Sequence, residues 1–128
     1  MEIRELTNAE EEVMQILWRL KKAFVKEILE KFSEPKPAYS TVSTIIRILL
    51  EKGFVNYRAY GRTYQYFPVI SKDDYRKAQM SSFVKNYFSN SYQKMVSFFA
   101  REDSITVKDM EDIMEMMKKD QKDKKEKR

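Results

Sequence analysis

Ser40, Ser43, Thr44 and Arg47 stand three or four residues apart within AYSTVSTIIRILLEKG, residues 38–53, the spacing that lines side chains along one face of a helix. Hydroxyls there can bond base edges or phosphates, a threonine methyl can touch a thymine methyl, and an arginine can grip guanine or a phosphate. Serine and threonine are mediocre helix formers, so a helix face built from them asks for a reason that lysine and glutamate would not. Two readings stand: the solvated side of an amphipathic helix, or a surface that approaches DNA closely. A second set follows, with Arg58, Tyr60, Gly61, Arg62 and Thr63 clustered at one end of a two-strand pattern. Between residues 36 and 66 five cations (Lys36, Arg47, Lys52, Arg58, Arg62) stand against one anion, Glu51, a net charge of +4. A local positive balance of that kind is the footprint of contact with phosphates.

Other chemistries are excluded by what the chain lacks. Its 128 residues contain no Cys and no His, which removes disulfides, thiolate and Ser-His-Asp catalysis and the usual zinc sites together. The Asp and Glu residues fall mostly on charged helix faces, so neither enzyme activity nor a cofactor is expected. With 42% hydrophobic and 35% charged residues the composition is that of a globular protein. No run reaches the roughly 18 to 20 apolar residues of a membrane span, and the start MEIRELTNAEEEV is acidic rather than signal-like. The expectation is a cytoplasmic protein without membrane insertion.

The elements that must position the two polar sets are legible. Thr7-Asn-Ala-Glu10 is a capping box, and Val13, Ile16, Leu17 and Leu20 follow at helical spacing, so a first helix is expected over 7–20. A shorter one carries Ile28, Leu29 and Phe32 before Pro35 and Pro37 break the chain. In the third, Val42, Ile45, Ile46, Leu49 and Leu50 share one side and the hydroxyl residues the other, with Gly53 as terminator. The period then changes to two: residues 54–60 and 63–69 are aromatic and β-branched, joined by Gly61-Arg62 with Gly in the first central position of a hairpin turn. Their tyrosines and phenylalanines are expected to pack in the core rather than to stack on bases. Three helices and a hairpin, in that order, predict a winged helix-turn-helix over 1–70.

The remainder is helical. Ser71 and Thr106, each with Asp three residues on, resemble capping boxes. Between and beyond them run three apolar stripes: Met80, Phe83, Val84, Tyr87 and Phe88; Tyr92, Met95, Val96 and Phe99; Met110, Ile113, Met114 and Met117. Some 50 residues cannot hide so many large side chains, and a second copy of the chain is the simplest cover. A homodimer would also bring two reading helices onto a two-fold symmetric, palindromic site. The same stripes admit an alternative, a winged-helix protein-interaction module without DNA binding, and a stable monomer lacking operator affinity would favour it. The chain thus divides into a DNA-binding domain over 1–70, a helical dimerisation domain over 71–118, and a lysine-rich tail over 119–128 expected to be disordered. The fold class is mainly α with a small β-hairpin.

Leu6-Thr-Asn-Ala-Glu-Glu-Glu-Val-Met-Gln-Ile-Leu-Trp18, Ala38-Tyr-Ser-Thr-Val-Ser-Thr and the Leu-Glu-Lys-Gly-Phe-Val ending at Val55 together resemble the BlaI/MecI/CopY family of penicillinase-type repressors. The resemblance covers 6–70 well and the rest loosely. It implies a dimeric repressor on double-stranded operators with TACA and TGTA half-sites, upstream of antibiotic-resistance or metal-homeostasis genes. It also carries the contact role onto Ser40, Thr41, Ser43, Thr44 and Arg47, with 58–63 as the wing and 83–117 as the dimer region. In β-lactam-responsive members a membrane sensor-protease signals through cleavage of the repressor, and Ser97-Phe98 matches that bond, with Ser in place of the family's Asn. The Cys-rich metal motif of the copper-responsive branch is missing, and Ile48 stands where many members have Arg.

Overall fold

The computed structural model describes residues 3–102 and 106–126. In order these form α1 (Asn8–Leu20), β1 (Ala23–Phe24), α2 (Val25–Glu30), α3 (Tyr39–Glu51), β2 (Val55–Tyr60), β3 (Thr63–Pro68), α4 (Lys72–Tyr87), α5 (Tyr92–Arg101) and α6 (Val107–Glu126). The chain divides into two compact units, Met1–Gln79 and Met80–Arg128.

In the first unit, α1 starts on a complete capping box, Thr7 Oγ1 accepting from the Glu10 amide and Glu10 Oε1 from the Thr7 amide. Its Val13, Met14 and Leu17 are buried with Ile28 of α2, Val42, Ile46 and Leu49 of α3, and Phe54. Each such side chain contributes about 1.5–3 kcal/mol of burial, which is what fixes α3 against the domain. The helix ends in a full Schellman motif: the Gly53 amide donates to Leu50 O at 3.1 Å and the Phe54 amide to Leu49 O at 2.9 Å, with Gly53 at φ +81°. Buried Phe54 and Leu49 are the apolar pair that accompanies this motif.

The hairpin is part of a three-stranded antiparallel sheet of order β1-β3-β2. The strand β1 pairs Ala23 with Tyr66 and Phe24 with Gln65; two residues are too few to show a period, and nothing in the sequence marks them. The turn has positive φ at Gly61 (+63°) and not at Arg62, the pattern of a type II′ turn.

Two domain expectations change. Tyr75, in the second turn of α4, is buried against Trp18 and Phe54 at ring distances of 5.8 and 5.6 Å, and Trp18 Nε1 donates to Ile70 O at 2.9 Å. The start of α4 therefore belongs to the winged unit, and the boundary lies after Gln79 rather than after residue 70. The helix α6 continues to Glu126 where a disordered tail was expected. Lys, Glu and Gln are good helix formers and no Gly or Pro interrupts the run, so nothing in it ends a helix. Residues 127 and 128 lie outside the described residues.

In the second unit Val84, Met95 and Val96 form the interior, with Phe88, Tyr92, Phe99, Met110 and Ile113 packed around them. The Ser91 hydroxyl caps α5, and Thr106 and Asp109 form a reciprocal box at the start of α6.

Candidate nucleic-acid interface

The burial of Val42, Ile46 and Leu49 turns the opposite side of α3 outward, leaving Ser40, Thr41, Thr44 and Arg47 exposed and Ser43 half-buried. No side-chain cap hydrogen bond forms at Ala38, so the positive end of the α3 dipole is open to an anion. Thr44 Oγ1 donates to Ser40 O at 2.9 Å. Its proton being so committed, Thr44 can offer a base edge only its oxygen lone pairs and its methyl group. The matching partners are the amines of adenine N6 and cytosine N4 and the methyl of thymine.

On the wing the Thr63 hydroxyl donates to Tyr60 O at 2.9 Å and braces the turn that holds Gly61 and Arg62. The register pairs Arg58 with Gln65 and Tyr60 with Thr63, which puts these four on the outer face of the sheet alongside Phe24. The Tyr60 ring rests on Phe24 at 5.9 Å. Arg58 and Arg62 form no ion pair among the described residues.

Two of the five cations counted toward a DNA footprint have other work. Lys36 Nζ donates to Leu29 O, Glu30 O and Phe32 O at 3.4, 2.9 and 2.7 Å, capping the C-terminal end of α2. Lys52 Nζ, at the end of α3, binds Glu10 Oε1 and Glu5 O. Burial raises the Glu10 carboxyl, but Lys52 and the Thr7 bonds outweigh it and hold the group below its ordinary 4.5. Of the five, Arg47, Arg58 and Arg62 have no ion pair among the described residues.

The strand tyrosines also differ from expectation. Phe54 and Val55 supply the core, while Tyr57 and Tyr64 stay exposed and Tyr66 is half-buried. The exposed rings pack on one another, Tyr57 and Tyr64 at 4.7 Å, and on Tyr66. Tyr39, the exposed first residue of α3, is a further surface group that the hydroxyl pattern did not pick out.

Of the residues assigned to dimerisation, Val84, Met95 and Val96 are consumed by the second unit's own core. Phe88, Tyr92, Phe99, Met110 and Ile113 are partly buried against it, and Met114 is half-buried. Phe83 and Tyr87 are exposed, with Met80, Phe98 and Met116 beside them in type. Met117 lies on α6, its side chain outside the described residues. Ser97 and Phe98 are exposed on α5, the Phe98 ring 5.7 Å from Phe88. Among the described residues no helix is long and apolar enough to cross a membrane.

This arrangement has known counterparts. The chain is 25% identical over 112 residues to the penicillinase repressor of Bacillus licheniformis, covering 87% of this chain and 88% of that protein. To the methicillin resistance regulatory protein MecI of Staphylococcus aureus (strain N315) it is 24% identical over 110 residues, 85% of this chain and 89% of that one. The solution structure of the DNA-binding domain of the repressor BlaI superposes with a TM-score of 0.51 at 30% identity, over 57% of this chain and 90% of that domain. The penicillinase repressor family model matches residues 6–119, and the chain belongs to that family, one of transcriptional repressors and not of enzymes.

Proposed function

We propose that the protein represses transcription as a homodimer, setting an α3 helix into the major groove of each half of a palindromic operator, with Arg58 to Thr63 against the flanking backbone. The observation that carries this is the outward face of α3, short and polar, beside a wing whose arginines have no ion pair among the described residues. A second copy of the chain is the natural cover for Phe83, Tyr87 and Phe98. On α6, Val107, Met110 and Met114 follow at intervals of three and four, the a/d spacing of a helical seam, with Glu111, Glu115 and Lys118 along its groove.

The regulated genes are then an antibiotic-resistance-type operon, as the names of the relatives suggest, and the repressor is released by proteolysis at Ser97-Phe98 by a membrane sensor-protease. That bond lies in α5, so cleavage needs local unwinding of the helix. Sedimentation with and without DNA from upstream of its own gene tests the assembly. Two chains per duplex are expected, and a monomer without DNA affinity would instead favour the protein-interaction module. Mass spectrometry of the repressor from induced cells tests the release, and an intact Ser97-Phe98 bond throughout induction refutes it.

A further inference from the structure

One face of the sheet carries a patch of phenols that neither the core nor the arginine wing explains. The register places Tyr57 beside Tyr66 and Ala59 beside Tyr64, so the three rings share the face whose inner end, Val55 and Ala23, is buried. Their centroids lie 4.7 Å (Tyr57 to Tyr64), 5.9 Å (Tyr57 to Tyr66) and 6.5 Å (Tyr64 to Tyr66) apart. Tyr57 is 42% and Tyr64 45% exposed. From α3, Tyr39 (57% exposed) and Arg47 come within electrostatic reach of the Tyr66 hydroxyl, which joins this face to the reading helix. The hydroxyls of Tyr57 and Tyr64 make no hydrogen bond with a described residue. Packing alone would be served by phenylalanine, and exposed hydroxyls with no protein partner are free to donate to a ligand.

Duplex geometry supplies one. The major groove that would take α3 and the minor groove beside it are separated by a single sugar-phosphate strand. With α3 in the first and the Gly61-Arg62 turn over the second, that strand must cross the surface between helix and wing. We propose that Tyr57 and Tyr64, with Tyr39, form an uncharged cradle for that strand, their hydroxyls donating to phosphate oxygens and their rings lying against deoxyribose. The proposal rests on the DNA-binding reading above. Arg58 stands on the opposite face of the sheet, so the cradle and the outer arginines hold the backbone by separate means. Uncharged donors release no counterions, so they add affinity without adding to its salt dependence.

The test is Y57F/Y64F, which keeps both rings and removes both hydroxyls. Binding is read by fluorescence anisotropy on a duplex from upstream of its own gene and on a scrambled duplex, across a salt series. The expected result is about a hundredfold weaker binding to both duplexes, about tenfold for each lost hydrogen bond to an anionic phosphate oxygen, with an unchanged slope of log K against log salt and an unchanged melting temperature. Wild-type affinity in Y57F/Y64F, or a slope reduced as in R62A, overturns the cradle while leaving DNA binding in place. Absence of salt-dependent binding by the unsubstituted protein would remove the DNA reading and the cradle together.

Discussion

The helix α3 is tied to α1 at its C-terminal end by one ion pair, and Lys52→Met is the perturbation that isolates it. Lys52 Nζ binds Glu10 Oε1 and Glu5 O, and the two side chains are only 15% and 6% exposed. Removing the ammonium leaves the Glu10 carboxylate with its Thr7 capping bonds and no counter-charge. Breaking a buried pair costs about 3–5 kcal/mol; with the Thr7 amide and hydroxyl still in place, about 2 kcal/mol is expected, a fall of about 10 °C in the melting temperature of a domain this size. The pH dependence follows from the depressed Glu10 carboxyl. A carboxylate whose folded value lies below its unfolded one stabilises the fold above the unfolded value, and that contribution is lost as pH falls through the folded value. The gap between K52M and the unsubstituted protein should therefore be full at pH 7 and close as pH drops below 4.5. Thermal melts from pH 7 to 3 check this, and a gap that is zero at pH 7, or constant across the range, refutes it.

Thr44→Val removes the lone pairs that can accept from a base amine. It should change the relative affinity for operators differing at one base pair by about tenfold, against little change for Thr44→Ser at an amine-bearing position, as competition binding with a single-substitution operator set would show. Arg62→Ala should weaken binding to all duplexes alike and flatten the salt slope by about one phosphate contact. Lys36→Ala, by contrast, should lower thermal stability through the lost cap on α2 while leaving that slope unchanged. Tyr87→Asp, at an exposed site of the second unit, should convert the dimer to monomer in sedimentation and leave the melting of the winged unit alone.

Local chemistry made much of the fold legible in advance. The Thr7/Glu10 box, the amphipathic α3 with Gly53 behind it, and the Gly61 hairpin are short-range patterns whose causes lie within a few residues. The structure departs from expectation where the cause is distant or the element too small. Lys52 meets Glu10 across 42 positions in sequence, and no spacing rule reveals that partnership, so a cation that looked available for DNA turned out to be a strut. The role of Lys36 is hidden from the sequence for a related reason, since three carbonyls at a helix end are a feature of folded backbone. Tyr57 and Tyr64 read as core because strand aromatics usually are; the fold gives them each other and Tyr66 as neighbours and leaves both exposed, a pairing across strands that no local pattern states. Tyr75 is a long-range contact of the same kind, and it moves the domain boundary into α4.

DNase footprinting of the protein on DNA immediately upstream of its own gene, repeated across a salt series, tests the central claim most directly. The account predicts a protected palindrome whose two halves lie about one helical turn apart or a multiple of it, with protection fading steeply as salt rises. Protection of no palindrome, or binding indifferent to salt, would contradict it.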